Sequence, residues 1–268
     1  MKMNLPKVMG ILNVTPDSFS DGGQFDSEAS ACLQAEAFVA SGADIIDIGG
    51  ESTRPFAEPV PEEEELQRVI PAIQAIRKKF SILVSIDTTK AEVARQALAA
   101  GADIINDISA LRKDPAMIEL VQKTDVPVII MHMKGNPGDM QVSPEYDDVV
   151  QEIYEFFEER LNWLAAKGID RKRITLDPGI GFGKKLSHNL SILKHLAEFK
   201  KLGCPLLLGH SRKRFIEDIC GLPVEKRDLP TAVVSALAAA SDIDIIRVHD
   251  VASTRIALQM VAAVSNAA

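Results

Sequence analysis

Apolar residues in this chain fall into eight short runs, each closed by polar residues and followed by a longer stretch with helical spacing. The runs are Val8–Val14, Asp44–Ile48, Ile82–Ile86, Ile104–Ile108, Val126–Met131, Ile174–Leu176, Pro205–Leu208 and Ile245–Val248. They lack strict alternation, as expected of parallel strands buried on both faces. The intervening segments carry helix signals. Pro61-Glu62-Glu63-Glu64-Glu65 places a proline and four acids at the positive end of a helix dipole. Ile153, Phe156, Phe157, Leu161 and Leu164 recur at steps of three and four and stop at Gly168. That segment is a helix with one apolar face, and Trp163 on it is read as packing.

Three segments echo one another: Gly42-Ala43-Asp44-Ile45-Ile46-Asp47, Gly101-Ala102-Asp103-Ile104-Ile105-Asn106 and Ile243-Asp244-Ile245-Ile246-Arg247. They read as similar helix-to-strand turns, with glycine ending the helix in the first two, and not as a solenoid repeat. Eight strand–helix units in 268 residues predict an α/β fold, a single (β/α)8 TIM barrel spanning residues 1–268 as one domain. A doubly wound open sheet is the structural alternative.

Composition narrows the partners. With 30 basic against 38 acidic residues the net charge is −8, which argues against a general nucleic-acid footprint. An anionic ligand must therefore meet a local cluster of basic groups. Cys32, Cys204 and Cys220 have no zinc-like spacing and read as reduced thiols. The N-terminal residues lack the apolar core of a signal peptide, and the apolar stretch near Ala232–Ala240 is too short for a bilayer. The expectation is a cytoplasmic protein with no membrane partner.

In such a barrel the residues just after each strand converge on one mouth. In chain order they are Asn13; Glu51, Thr53 and Arg54; Asp87; Asn106 and Asp107; His132; Asp177; His210, Ser211, Arg212 and Lys213; and Arg247, His249 and Asp250. One polar residue there means little, but eight strand ends in register form a signal. Asp87, Asn106 and Asp177 offer several hydrogen-bond acceptors, suited to the N–H-rich edge of a flat heterocycle; the alternative is that each acid caps the next helix. Arg54, Lys213, Arg247 and His249 form a cationic group of the kind that holds phosphate or diphosphate. Asn13 adds a neutral oxygen suited to magnesium. Gly179-Ile180-Gly181-Phe182-Gly183-Lys184 does not match a P-loop and is read as a turn presenting Phe182. Met131 reads as apolar pocket wall, and His132 as a packed rim residue.

Taken together these stretches resemble dihydropteroate synthases. The resemblance is carried by Gly10–Gly23, Asp47–Pro55, Ser85-Ile86-Asp87-Thr88, Asn106-Asp107-Ile108-Ser109, Met131–Pro137, Leu176–Lys184, Ser211-Arg212-Lys213 and Arg247-Val248-His249-Asp250. It implies a magnesium-assisted transferase of folate biosynthesis that condenses 6-hydroxymethyl-7,8-dihydropterin diphosphate with 4-aminobenzoate. It further implies that Asp87, Asn106, Asp177 and Lys213 hold the pterin. Asn13, Arg54, Arg247 and His249 would hold the diphosphate and its Mg²⁺, with Thr53, Pro55, Phe182, Ser211 and Lys213 flanking the aminobenzoate. Asp87, Lys213, Arg247 and His249 are the expected catalytic set. A homodimer formed through helices late in the chain, sulfonamide sensitivity, and lids at Gly22-Gly23 and Thr53–Pro59 are further implications.

One position departs from the family pattern. Where the family continues Arg-Pro with glycine, this chain has Arg54-Pro55-Phe56, so Phe56 either narrows the aminobenzoate entrance or packs outside it. Two rival functions share the acceptor group. A pterin-binding methyltransferase of the same fold has no evident need of Arg54, Arg247 and His249 around a diphosphate, and a non-catalytic pterin-binding module would bind without making product.

Overall fold

The computed structural model describes residues 4–15, 24–52, 59–135 and 144–267. Eight parallel strands alternate with helices. The strands are β1 (Lys7–Asn13), β2 (Ile45–Gly49), β3 (Leu83–Asp87), β4 (Ile104–Asp107), β5 (Val128–Met131), β6 (Ile174–Asp177), β7 (Leu207–Leu208) and β8 (Ile245–Val248). The helices are α1 (Gln24–Ala40), α2 (Glu62–Lys79), α3 (Ala91–Ala100), α4 (Pro115–Gln122), α5 (Val149–Ala166), α6 (Leu186–Lys194), α7 (Leu196–Lys200), α8 (Arg214–Cys220), α9 (Asp228–Ala239) and α10 (Val251–Ser265). Hydrogen-bonded strand order runs β6-β5-β4-β3-β2-β1-β8-β7. A parallel bridge between Leu176 and Leu206 joins the two ends, so the sheet closes into a barrel and the open-sheet alternative is excluded.

Side chains alternate across the barrel wall. Val8, Leu12, Ile46, Ile48, Val84, Ile86, Ile105, Ile130, Leu176 and Leu208 join one large core with the helices. Met9, Ile45, Ile104, Ile129, Leu207 and Ile245 form a separate cluster that fills the lower barrel. The alternation was hidden in the sequence because the lower inward positions are as apolar as the outward ones. Higher up the inward positions turn polar, and Asp47, Ser85, Asn106 and Asp177 are buried.

The three echoing turns share one device. Asp44 Oδ2 accepts the N–H of Val8 (2.7 Å), Asp103 Oδ2 that of Val84 (2.8 Å) and Asp244 Oδ2 that of Leu206 (2.7 Å). Each aspartate thus satisfies an orphan N–H at the start of the preceding strand, and each pairs with a cation: Arg255, Arg77 and Lys200 respectively. The helix readings also hold. The acidic run opens α2, with Pro61 as its N-cap. Ile153, Phe157, Leu161 and Leu164 are the buried stripe of α5, and Arg160 stacks its guanidinium on Trp163 at 4.2 Å.

Candidate active site

The upper mouth is built by strand ends of limited width. Gly49 and Gly209 face this cluster: a Cβ on Gly49 would lie in ordinary contact with Asp87, and one on Gly209 would stand 3.4 Å from Asp177 Oδ2 and 3.9 Å from Arg247 Cδ. Between them Arg247 projects from β8 and forks onto two carboxylates. Its Nε donates to Asp47 Oδ2 (2.6 Å) and its Nη2 to Asp87 Oδ2 (2.7 Å). Asn106 Nδ2 donates to the same Asp47 oxygen (3.1 Å), which leaves the Asn106 carbonyl oxygen as its acceptor. The expected separation into an acceptor group and a cation group is therefore incomplete, because Arg247 sits among the acceptors.

Burial governs the electrostatics of this cluster. Desolvation pushes the Asp87 carboxyl up to about 7, against the pull of Arg247 and with help from Asp47. Asp177 is also raised by burial, opposed by the Gly179 N–H on its Oδ1 (2.8 Å) and by Lys213. Burial draws Lys213 down to about 8, with Arg247 adding to the shift and Asp177 and Asp87 opposing it. Burial also works against the charge of Arg247, but Asp47 and Asp87 more than offset it and hold the guanidinium charged.

On the opposite flank Ser211 Oγ lies 2.9 Å from His249 Nδ1 and accepts the His249 backbone N–H (3.1 Å). Lys213 Nζ stands 3.9 Å over the ring of Phe182, and Phe182, Met131 and Met133 form a small apolar wall. Half-buried Asn13 ends β1. Asn13, Met131, Asp87, Asn106, Asp177, Phe182, Ser211, Lys213, Arg247 and His249 thus lie at the same end of the barrel. Thr53, Arg54, Pro55 and Phe56, and the Gly22-Gly23 lid, lie outside the described residues.

Several rim candidates serve the framework instead. Glu51 pairs with Lys90. Asp107, raised to about 6 chiefly by burial, accepts the N–H groups of Ser109 and Leu111. His132 packs edge-on against Phe156, and His210 Nε2 lies 2.9 Å from the Thr231 carbonyl oxygen. Arg212 is held bidentately by Asp228, and Asp250 caps α10. The strand-end rule missed Asp47, which lies mid-strand, fully buried, with Oδ1 unpartnered among the described residues. A charge inside the run Ile45-Ile46-Asp47-Ile48 was the available signal, since a buried charge requires a partner.

A parallel barrel with a polar, charge-paired mouth defines a small-molecule enzyme class. The family model described as pterin binding enzyme matches residues 9–249. Dihydropteroate synthase of Escherichia coli (strain K12) is 47% identical over 267 residues, covering 100% of this chain and 94% of that protein. The Yersinia pestis dihydropteroate synthase structure with a sulfonamide drug complex superposes with a TM-score of 0.93 at 44% identity, covering 100% of this chain and 97% of that one. The Xanthomonas albilineans enzyme with 4-aminobenzoic acid gives a TM-score of 0.92 at 46% identity, covering 100% and 96%. The chain belongs to the dihydropteroate synthase family of pterin-binding enzymes. That membership decides against the methyltransferase reading.

Proposed function

We propose that this mouth condenses 6-hydroxymethyl-7,8-dihydropterin diphosphate with 4-aminobenzoate, giving 7,8-dihydropteroate and diphosphate. The observation that carries the reading is the buried set Asp87, Asn106 and Asp177 gathered around Arg247 and Lys213. Buried acceptors need donors, and the amino and ring N–H groups of a pterin supply them. Arg247 commits Nε and Nη2 to carboxylates, so Nη1 is the nitrogen assigned to the diphosphate, together with His249 and Arg54. Thr53, Pro55, Phe182 and Ser211 flank the aminobenzoate, with Met131 as wall. A sulfonamide competes for that same place.

Breaking the methylene–oxygen bond sends its electron pair onto diphosphate and leaves positive charge on the pterin methylene. Asp87 offsets that charge, and the cations stabilise the departing anion. The aromatic amine attacks with its lone pair and then loses a proton. It is unprotonated near neutrality, so positioning is the main contribution of the protein. Among the described residues no group of three or more His, Cys, Asp or Glu could hold a metal ion. A single neutral oxygen at Asn13 fits Mg²⁺, which keeps phosphate and water as its other ligands. When bound, the ion neutralises charge on the leaving group.

The test is turnover with both substrates. Dihydropteroate and diphosphate appear with Mg²⁺ and fall sharply with a chelator; binding without product would make the protein a pterin-binding module.

The same reading includes a homodimer. Leu229, Val233 and Leu237 on α9, and Ile256, Met260 and Val264 on α10, recur at steps of four and are each more than half exposed. The two helices pack side by side, and so much large apolar side chain left in water marks an interaction surface. A second copy of this chain is the proposed occupant. Sedimentation of the wild type gives a dimer at micromolar concentration and Leu237→Glu a monomer; a monomeric wild type would refute it.

A further inference from the structure

Lys184 is almost fully buried and has no carboxylate partner within hydrogen-bond distance among the described residues. Its Nζ reaches His132 Nδ1 (3.0 Å), the His132 carbonyl oxygen (3.3 Å) and the Phe182 carbonyl oxygen (2.9 Å). Burial draws this amine down to about 7, against the pull of Asp177, yet its three acceptors satisfy it, and an apolar side chain would fill a mere packing site at less desolvation cost. What the amine does is tie the segment after β5 to the loop after β6. Burial keeps the His132 ring neutral, pushing it down to about 2, and a neutral ring with its hydrogen on Nε2 presents Nδ1 as an acceptor.

The two segments touch along their length. A Cβ on Gly179, at φ +70°, would stand 2.0 Å from the His132 carbonyl oxygen, and one on Gly183 2.3 Å from the Lys134 carbonyl oxygen. Tyr146 Oη donates to the Gly183 carbonyl oxygen (2.9 Å), and Phe182 N–H to that of Gly179 (3.1 Å). The main chain of Phe182 is therefore clamped at both its N–H and its C=O, and its ring lies under Lys213.

We infer that Lys184 is a positioning residue for the aminobenzoate side of the reaction, acting through Phe182 to set the ring on which Lys213 rests. The inference builds on the function proposed above. In Lys184→Met the KM for aminobenzoate rises at least tenfold while that for the pterin diphosphate stays within twofold. In a Phe182→Leu background the same change has less than a twofold effect, because the route is already cut. Equal rises in both KM values, or the full tenfold effect in the Phe182→Leu background, would overturn it.

A second readout needs no turnover, so it survives failure of the proposed function. In the wild type the Lys213 ε-methylene protons carry an upfield ring-current shift in the NMR spectrum, identified by its loss in Phe182→Leu. That shift collapses in Lys184→Met; an unmoved signal would refute the clamp. Should Lys184→Met fail to fold, Lys184→Gln, which keeps two N–H donors but no charge, carries the same comparisons with intermediate size.

Discussion

Replacing Asp87 with asparagine lowers kcat by about 10²- to 10³-fold while the affinity for the pterin diphosphate changes by less than about tenfold, a loss of roughly 3–4 kcal/mol confined to the transition state. Asparagine keeps a hydrogen-bonding oxygen for the pterin edge and loses only the negative charge that opposes the forming cation. Equal losses in kcat and affinity, measured by steady-state kinetics and calorimetry, would mean that Asp87 only binds. The pH profile adds a second mark. With its carboxyl raised to about 7, the wild type loses the ionised form as pH falls through neutrality, giving an acid limb in kcat/KM that the variant lacks.

Stability supplies an independent check on the same group. A carboxyl whose folded pKa lies above its unfolded value binds its proton more tightly in the native state. Its cost to the fold is absent below about 4 and complete above about 7, so it makes stability fall as pH rises across that window. Asp107, raised to about 6, adds the same sign over the lower part. His132, depressed to about 2, has the opposite sign up to the ordinary histidine range. The difference between wild type and Asp87→Asn in urea midpoints isolates the Asp87 share, including the interval from about 6 to 7 that Asp107 cannot supply.

Much of this site was legible from strand ends because a barrel mouth collects them. Asp87, Asn106, Asp177, Ser211, Lys213, Arg247 and His249 all reach the mouth as expected. For Asp107 the failure is geometric: successive residues at a strand end face in and out with a period of two. Asn106 faces inward, so Asp107 turns to the helix layer and caps a loop. Met131 belongs to the apolar wall, and His132 turns away from it, onto Lys184 and Phe156, as the packed rim residue expected. Asp47 was passed over because its level lies below the strand end, although its parity matches Gly49. Lys184 was invisible for a different reason, since its partners are main-chain oxygens that no sequence pattern announces.

Arg247 carries the second large effect, and its size follows from what it neutralises. Arg247→Met strands two carboxylates, one of them with no solvent exposure at all. Removing one member of a buried pair costs about 3–5 kcal/mol, which in a chain of this size lowers the melting midpoint by roughly 10 °C. The deficit shrinks as pH falls, because protonation removes the stranded charges. Activity falls further than stability does, since the diphosphate loses a donor in the same step. The double variant Arg247→Met with Asp47→Leu separates the two effects: it restores the Asp47 share of the midpoint, leaves Asp87 unpaired, and restores none of the turnover. A single variant as stable as the wild type at neutral pH would show that the fork is not an ion pair. A double variant no more stable than the single would place the cost elsewhere, in Asp87 alone.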